Sequence, residues 1–208
     1  MTTFYLVRHG RTEYNRDGRL QGAVHDSPLL PQSIADAKQT GKALADIDFV
    51  AAFSSPQKRA LDTGKNIVAQ FKQPLQFETL DDLKEFDFGI WDGDLATKHQ
   101  ADRIWQTFLN DPHNFDGSEI KAENYFELAT RVKRALTQIA KRYPKGNVLV
   151  TAHALVITFG VKYLLGKDLN TIRREGLVAN TSVTVLEVKD KATFELLKWN
   201  DTTHLKKI

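Results

Sequence analysis

The sequence predicts an α/β protein: a three-layer α/β/α sandwich built on a mostly parallel sheet and closed by a C-terminal β-hairpin. Three observations predict it. Apolar runs of strand length stand at residues 4–7, 49–53 and 148–150, and stretches with helical spacing of apolar residues separate them. Two β-rich runs, 182–188 and 194–199, close the chain around a charged turn. Strands that alternate with helices pair in parallel and are covered on both faces.

Residues 4–7 form the first expected strand. A polar loop runs to about Pro31, after which Ile34, Ala37, Gly41 and Leu44 recur at helical spacing. Residues 49–53 read as the second strand. Ser55 has the character of an N-cap and Pro56 that of a first helical residue, with the helix reaching about Phe71. Residues 75–80 alternate weakly and read as a third strand. The stretch 81–123 is irregular and rich in aromatics. We read it as a single domain over 1–208 with a cap-like insertion at about 90–123 that covers the pocket. Phe126, Ala129, Val132, Leu136, Ile139 and Tyr143 mark one long amphipathic helix from about Glu123, and Gly146 ends it. Residues 148–150 form a strand that delivers His153, and 154–165 return to helix. The turn of the closing hairpin is placed around Asp190.

Composition narrows the function. Of 208 residues, 41% are hydrophobic and 26% charged, as in a soluble globular protein. A net charge of +3 without a Lys/Arg run argues against a nucleic-acid partner and mildly favours small anionic ligands. Cysteine is absent, which excludes disulfides, thiolate metal sites and a cysteine nucleophile. The chain shows neither a signal-like start nor an apolar run of bilayer length, so the expectation is a cytoplasmic protein without a membrane partner. Whether copies associate as a homo-oligomer is left open.

The chemistry concentrates at strand ends. Arg8-His9-Gly10 follows the first strand and Thr151-Ala152-His153 ends the fourth, so two histidines stand at the carboxyl edge of the sheet, where α/β proteins bind ligands. Histidine and arginine together suit the attack on a phosphoryl group and its retention. Gly10 would let a phosphate approach the backbone. Thr12 and Asn15 either donate to that ligand or cap the helix that follows. Arg59 lies one turn into the next helix, on the same edge, where its planar guanidinium could grip two phosphate oxygens at once. In the segment 83–93, acids lie among aromatics, and such surroundings raise a carboxyl pKa towards that of a general acid. Spacing alone does not choose between Glu85 and Asp87.

The segments FYLVRHGRTEYN, RLQGAVHDSPLL, FSSPQKRALDT, LKEFDFGIWDG, VLVTAHALVI and NTSVTVLE resemble, in order, the blocks of the histidine phosphatase superfamily, the phosphoglycerate mutase-like fold. The resemblance spans nearly the whole chain. It implies that His9 is a nucleophile forming a phosphohistidine, and that Arg8, Arg59 and His153 complete the phosphate pocket with Glu85 as proton donor. Thr12 and Asn15 match secondary pocket positions, Gln21-Gly22 a loop at the rim, and Ala154 a backbone N–H contact where relatives often have glycine. Thr158 replaces a frequent arginine, Ala122-Glu123-Asn124 a Gly-Glu-Ser motif, and Leu30 and Ser33 a threonine and a glycine. No metal or cofactor is implied. The expected activity is hydrolysis of a small phosphorylated metabolite by a metal-independent phosphomonoesterase. The alternatives are a 2,3-bisphosphoglycerate-dependent phosphoglycerate mutase and a non-catalytic phospho-ligand-binding protein. The mutase is disfavoured because the middle segment offers only scattered Lys98 and Arg103.

Overall fold

The computed structural model describes residues 1–73, 75–189 and 193–205. Its strands are β1 (Thr2–Arg8), β2 (Phe49–Ser54), β3 (Phe77–Thr79), β4 (Gly146–Ala152), β5 (Val183–Val188) and β6 (Phe194–Asp201). They form one sheet of order β3-β2-β4-β1-β5-β6. The first four are mutually parallel; β5 runs antiparallel to β1, and β6 antiparallel to β5. The mostly parallel sheet and the closing hairpin are those expected. The turn around Asp190 lies outside the described residues.

Helices α1 (Glu13–Asp17), α2 (Pro31–Leu44), α3 (Lys58–Val68), α4 (Arg103–Asn110), α5 (Tyr125–Arg142), α6 (Lys162–Leu164) and α7 (Leu169–Arg174) complete the chain. The period-two rule of strands sorts the core into two layers. Phe4, Leu6, Phe53, Val148 and Val150 face Leu128, Val132, Leu136 and Ile139 of α5. Val7, Ala52, Leu149 and Val185 face the other way, onto Ala37 and Leu44 of α2 and Ile67 of α3. Asn124 begins α5 with a capping box: its side chain accepts from Phe126 and Glu127 N–H while Glu127 returns a carboxylate to the Asn124 N–H.

Four local expectations change. Helix α3 starts at Lys58, not Pro56. Ser55 Oγ does accept from Gln57 N–H (3.3 Å), but the Gln57 side chain is bonded to Gly22 O and Glu85 N, which holds its backbone extended until Lys58. The irregular stretch resolves into 3₁₀ turns at Asp81–Leu83, Gly89–Trp91, Ala96–His99, Pro112–Asn114 and Ser118–Ile120, together with α4. Turns so short carry no periodicity to read. The aromatics of this stretch, Trp91, Trp105, Phe108 and Phe115, are buried in the core shared with Phe86, Tyr125 and Phe159. Finally, the helix after His153 contains a π-helical stretch at Val156–Val161 before α6, and α7 appears where no helix was expected.

Gly41 sets how closely α2 and α3 approach, since a Cβ there would stand 2.4 Å from the Ile67 carbonyl oxygen. Backbone cannot swing aside as a side chain can. Gly41→Ala should therefore destabilise the fold by about 1–3 kcal/mol in urea unfolding, the usual range for overpacking. A loss below about 0.5 kcal/mol would show that the two helices separate freely.

Candidate active site

Strand register builds the centre of the site. Arg8 pairs with Ala152, and His9 N–H extends the ladder to Ala152 O (2.9 Å). His9 and His153 thus leave the sheet side by side on strands about 4.8 Å apart, and their ring centroids lie 5.2 Å apart, edge to face. The segment before β5 holds them from the far side. Thr181 N–H donates to Arg8 O (3.0 Å) and Asn180 Nδ2 to His9 O (2.9 Å). Thr181 adopts φ 54°, a conformation that costs a β-branched residue roughly 1–3 kcal/mol. Both residues stand in the quoted NTSVTVLE block, in which no local pattern points to this brace.

His9 Nδ1 lies 2.7 Å from Gly10 O, which fixes that nitrogen as the donor and leaves the lone pair on Nε2. Burial first, then the charges of Arg59 and Arg8, push the His9 pKa well below 6.5. The ring is a neutral base with a set tautomer. His153 is shifted the same way, by burial and then Arg59, so its imidazole is neutral in the unliganded pocket.

The arginines differ from expectation in one respect. Every Nη hydrogen of Arg59 is committed: Nη1 to His25 O and Asp26 Oδ1, Nη2 to Gln21 O and Gly22 O (3.0–3.1 Å). The two-oxygen grip by its fork is thereby excluded, and Nε alone remains. Arg8 donates from Nη1 to Val178 O (2.6 Å), and burial lowers its pKa to about 10, so it stays charged at neutral pH. Among the described residues, five buried side-chain polar atoms lack a partner: Arg8 Nε, Arg59 Nε, both His153 ring nitrogens and Ser182 Oγ. Each such group costs about 1–3 kcal/mol when left unsatisfied. Four of the five belong to the three residues named for a phosphate pocket, and an anion with several acceptor oxygens would satisfy the two arginine Nε–H groups and the one N–H of His153 together.

Glu85 is buried at the same place, and burial raises its pKa above the usual 4.5 against the opposing pull of the Phe86 N–H and Arg59. Its carboxyl accepts from Phe86 N–H (2.9 Å), Leu155 N–H (3.2 Å) and Val156 N–H (3.4 Å). Asp87 points elsewhere: it accepts from Gly89 N–H and its own N–H goes to Glu123. The geometry thus selects Glu85. The sequence did not reveal its supports. Gln57 Oε1 accepts from Glu85 N–H (2.8 Å), and Arg131, clamped on Glu123, donates to the carbonyls of Asp82, Lys84 and Glu85.

The remaining expected residues divide. Gly10 N–H donates to Thr63 Oγ1 (3.0 Å), and a Cβ would meet Ser33 Cβ at 2.7 Å, so Gly10 serves packing against α2 and not phosphate approach. Thr12 and Asn15 form the capping box of α1, and the Thr12 hydroxyl proton goes to Gln21 Oε1 (2.7 Å). Gln21 Nε2 is spent on Ser27 and Asp26. Gly22 supports Arg59 through its carbonyl. Ala154 opens the helix after β4, so its N–H has no intrahelical partner. Among the described residues, no three His, Asp or Glu side chains gather at metal-ligand spacing. Binding of inorganic phosphate or vanadate should raise the melting temperature, and Arg8→Ala should abolish the rise. An unchanged melting temperature at saturating oxyanion would refute the pocket.

The description "Histidine phosphatase superfamily (branch 1)" matches residues 4–202. The chain is similar to a metal-independent phosphoserine phosphatase of Arabidopsis thaliana, 32% identical over all of this chain and 85% of that protein. Phosphoserine phosphatase 1 of Hydrogenobacter thermophilus is 31% identical over 99% of this chain and 95% of its own. Among solved structures, Bacillus stearothermophilus YhfR superposes with a TM-score of 0.91 at 28% identity, covering 99% of this chain and all of that one. With the family shown and its relatives named as phosphatases, the chain belongs to branch 1 of the histidine phosphatase superfamily and is a phosphomonoesterase.

Proposed function

We propose that this phosphomonoesterase works through a phosphohistidine on His9 and that its substrate is a small phosphate ester of the phosphoserine class. The observation that carries the mechanism is the set of unpartnered buried donors on Arg8, Arg59 and His153 around a neutral His9. The names of the two phosphoserine phosphatase relatives support the substrate class.

His9 Nε2 attacks phosphorus, and the Nδ1–H donated to Gly10 O steadies the charge that grows on the ring. Arg8 Nε, Arg59 Nε, His153 and the Ala154 N–H hold the phosphoryl oxygens. Glu85 enters protonated and gives its proton to the leaving alkoxide. The resulting carboxylate then takes a proton from the water that attacks the phosphohistidine. Thr12 and Gln21 have no free donor for the substrate, whereas Asn15 Nδ2 keeps one. A cytoplasmic setting belongs to the same proposal and rests on the cysteine-free composition. No helix among the described residues is long and apolar enough to cross a membrane.

Enzyme mixed with phosphoserine and quenched in alkali should carry acid-labile phosphate on His9, and EDTA should leave turnover intact. Label on another residue, or rescue of a chelated enzyme by Mg²⁺, would overturn the mechanism. Isomerisation of 3-phosphoglycerate in parallel tests the mutase alternative. A second expectation concerns the acid. Glu85→Gln should slow phosphorylation by an alkyl phosphate roughly a hundredfold or more, and by p-nitrophenyl phosphate far less, because a stable leaving group needs no proton. Asp87→Asn should show no such dependence; the reverse pattern would reassign the acid.

The pH profile follows from the two shifts. His9 must be neutral, and its lowered pKa moves the acid limb well below 6.5. Glu85 must be protonated, so kcat/KM falls as pH rises through its raised pKa, above 4.5. Glu85→Gln should remove that alkaline limb from the profile; if the limb persists unchanged, Glu85 does not carry it.

A further inference from the structure

We propose that Asp92 is the positioning residue for Arg59, acting through the loop 22–25 to fix which N–H the guanidinium turns to the phosphoryl group. This rests on the phosphate-pocket reading above. Asp92 follows the aromatic Trp91 in the segment that also supplies Glu85, and its side chain is only 1% exposed. Its carboxylate accepts three backbone N–H groups from one short loop: Gly22 to Oδ1 (2.7 Å), and Val24 (2.8 Å) and His25 (3.1 Å) to Oδ2.

The same loop presents its other polar face to Arg59. The carbonyls of Gln21, Gly22 and His25 take three of the four Nη hydrogens, and Asp26 takes the fourth. A peptide plane points its N–H and its C=O in opposite directions, and the Gln21–Gly22 peptide spans the two groups directly, its N–H on Asp92 and its C=O on Arg59. The carbonyls of Gly22 and His25 that also hold Arg59 belong to neighbouring peptides of the same short loop, whose Val24 and His25 N–H groups are fixed on Asp92. The anion thus orients the strip 21–25, and the strip orients the cation. With all four Nη hydrogens held, Nε is the one donor Arg59 has left, and it is buried without a partner.

The strip is tightly seated. A Cβ on Gly22 would stand 2.4 Å from Phe86 O, and Gln57 Nε2 donates to Gly22 O (2.6 Å). Removing the charge of Asp92 loosens the three loop amides and leaves the loop tied only at Gly22. The Nη groups are then released, and the guanidinium is free to rotate off the line that aims Nε at the pocket. The result is a misaimed donor in a correctly folded enzyme.

A double-mutant cycle on the whole enzyme tests this, with kcat/KM for p-nitrophenyl phosphate, the vanadate inhibition constant and the melting temperature read for each variant. Asp92→Asn should lower kcat/KM and vanadate affinity together by roughly tenfold to a hundredfold, as expected for misplacement of a transition-state donor. In an Arg59→Lys background the same change should cost less than about threefold, because the group it acts through is already gone. Equal penalties in both backgrounds, or no loss from Asp92→Asn alone, would overturn the proposal. If Asp92→Asn does not fold, Asp92→Glu displaces the carboxylate by one methylene and is judged by the same cycle. Wild-type activity in Arg59→Lys would instead refute the pocket reading itself.

Discussion

A guanidinium buried beside a second guanidinium and two imidazoles must find a partner for nearly every N–H, and Arg59, with a fully buried side chain, sets that demand at the centre of this fold. The answer is a loop rather than a single counter-ion. Three carbonyls and one carboxylate oxygen absorb the Nη hydrogens. From this follow the glycine at 22, the acid at 92 that collects the loop amides, and the glutamine at 57 that ties the loop to Glu85. Burial first, and then the positive field that remains, keep His9 and His153 neutral. A nucleophile and a phosphate cradle arise from one electrostatic arrangement.

The proton donor is governed by an opposing pair of effects. Burial favours the neutral carboxylic acid, while N–H groups from Phe86 and from the helix after His153 favour the anion. Burial is the stronger, and the shift is upward. In the proposed mechanism Glu85 alternates between acid and base, and amides that stabilise the anion after proton transfer are then useful as well as costly. The backbone beneath it is locked by Gln57 and by the Arg131–Glu123 pair, so the carboxyl is placed by residues on three separate segments.

The parts of the site that depend on strand ends were legible in the sequence. His9 and His153 each follow an apolar run, which places both at the carboxyl edge of the sheet; that they stand side by side follows from the pairing of β1 with β4 in the structure. The parts that depend on hydrogen bonds across the chain were not. Arg59 was visible as a charge on a helix, but its orientation depends on carbonyls 34–38 residues away. Gln57, Glu123, Arg131 and Asn180 carry no local signature: Glu123 and Arg131 pair across 8 residues, but the backbone groups that this pair, Gln57 and Asn180 hold at the site lie 28 or more residues distant. The Ser55-Pro56 pair shows the converse: a sound helix-start pattern displaced because the next side chain is held by two distant groups. Helix α7, six residues long, buries only Leu169 and Ile172, too little to stand out as a period.

The two ends of the sheet order also bear on how this protein behaves in concentrated solution. Strand β3 is three residues long, and its Glu78 is paired with Arg142 of α5. Strand β6 carries Lys198 paired with Asp201, and its register against β5 shifts twice. An intruding strand would meet a short template on one side and charges on an irregular ladder on the other. A sheet whose interior is largely apolar is in this way fitted with edges that discourage edge-to-edge polymerisation.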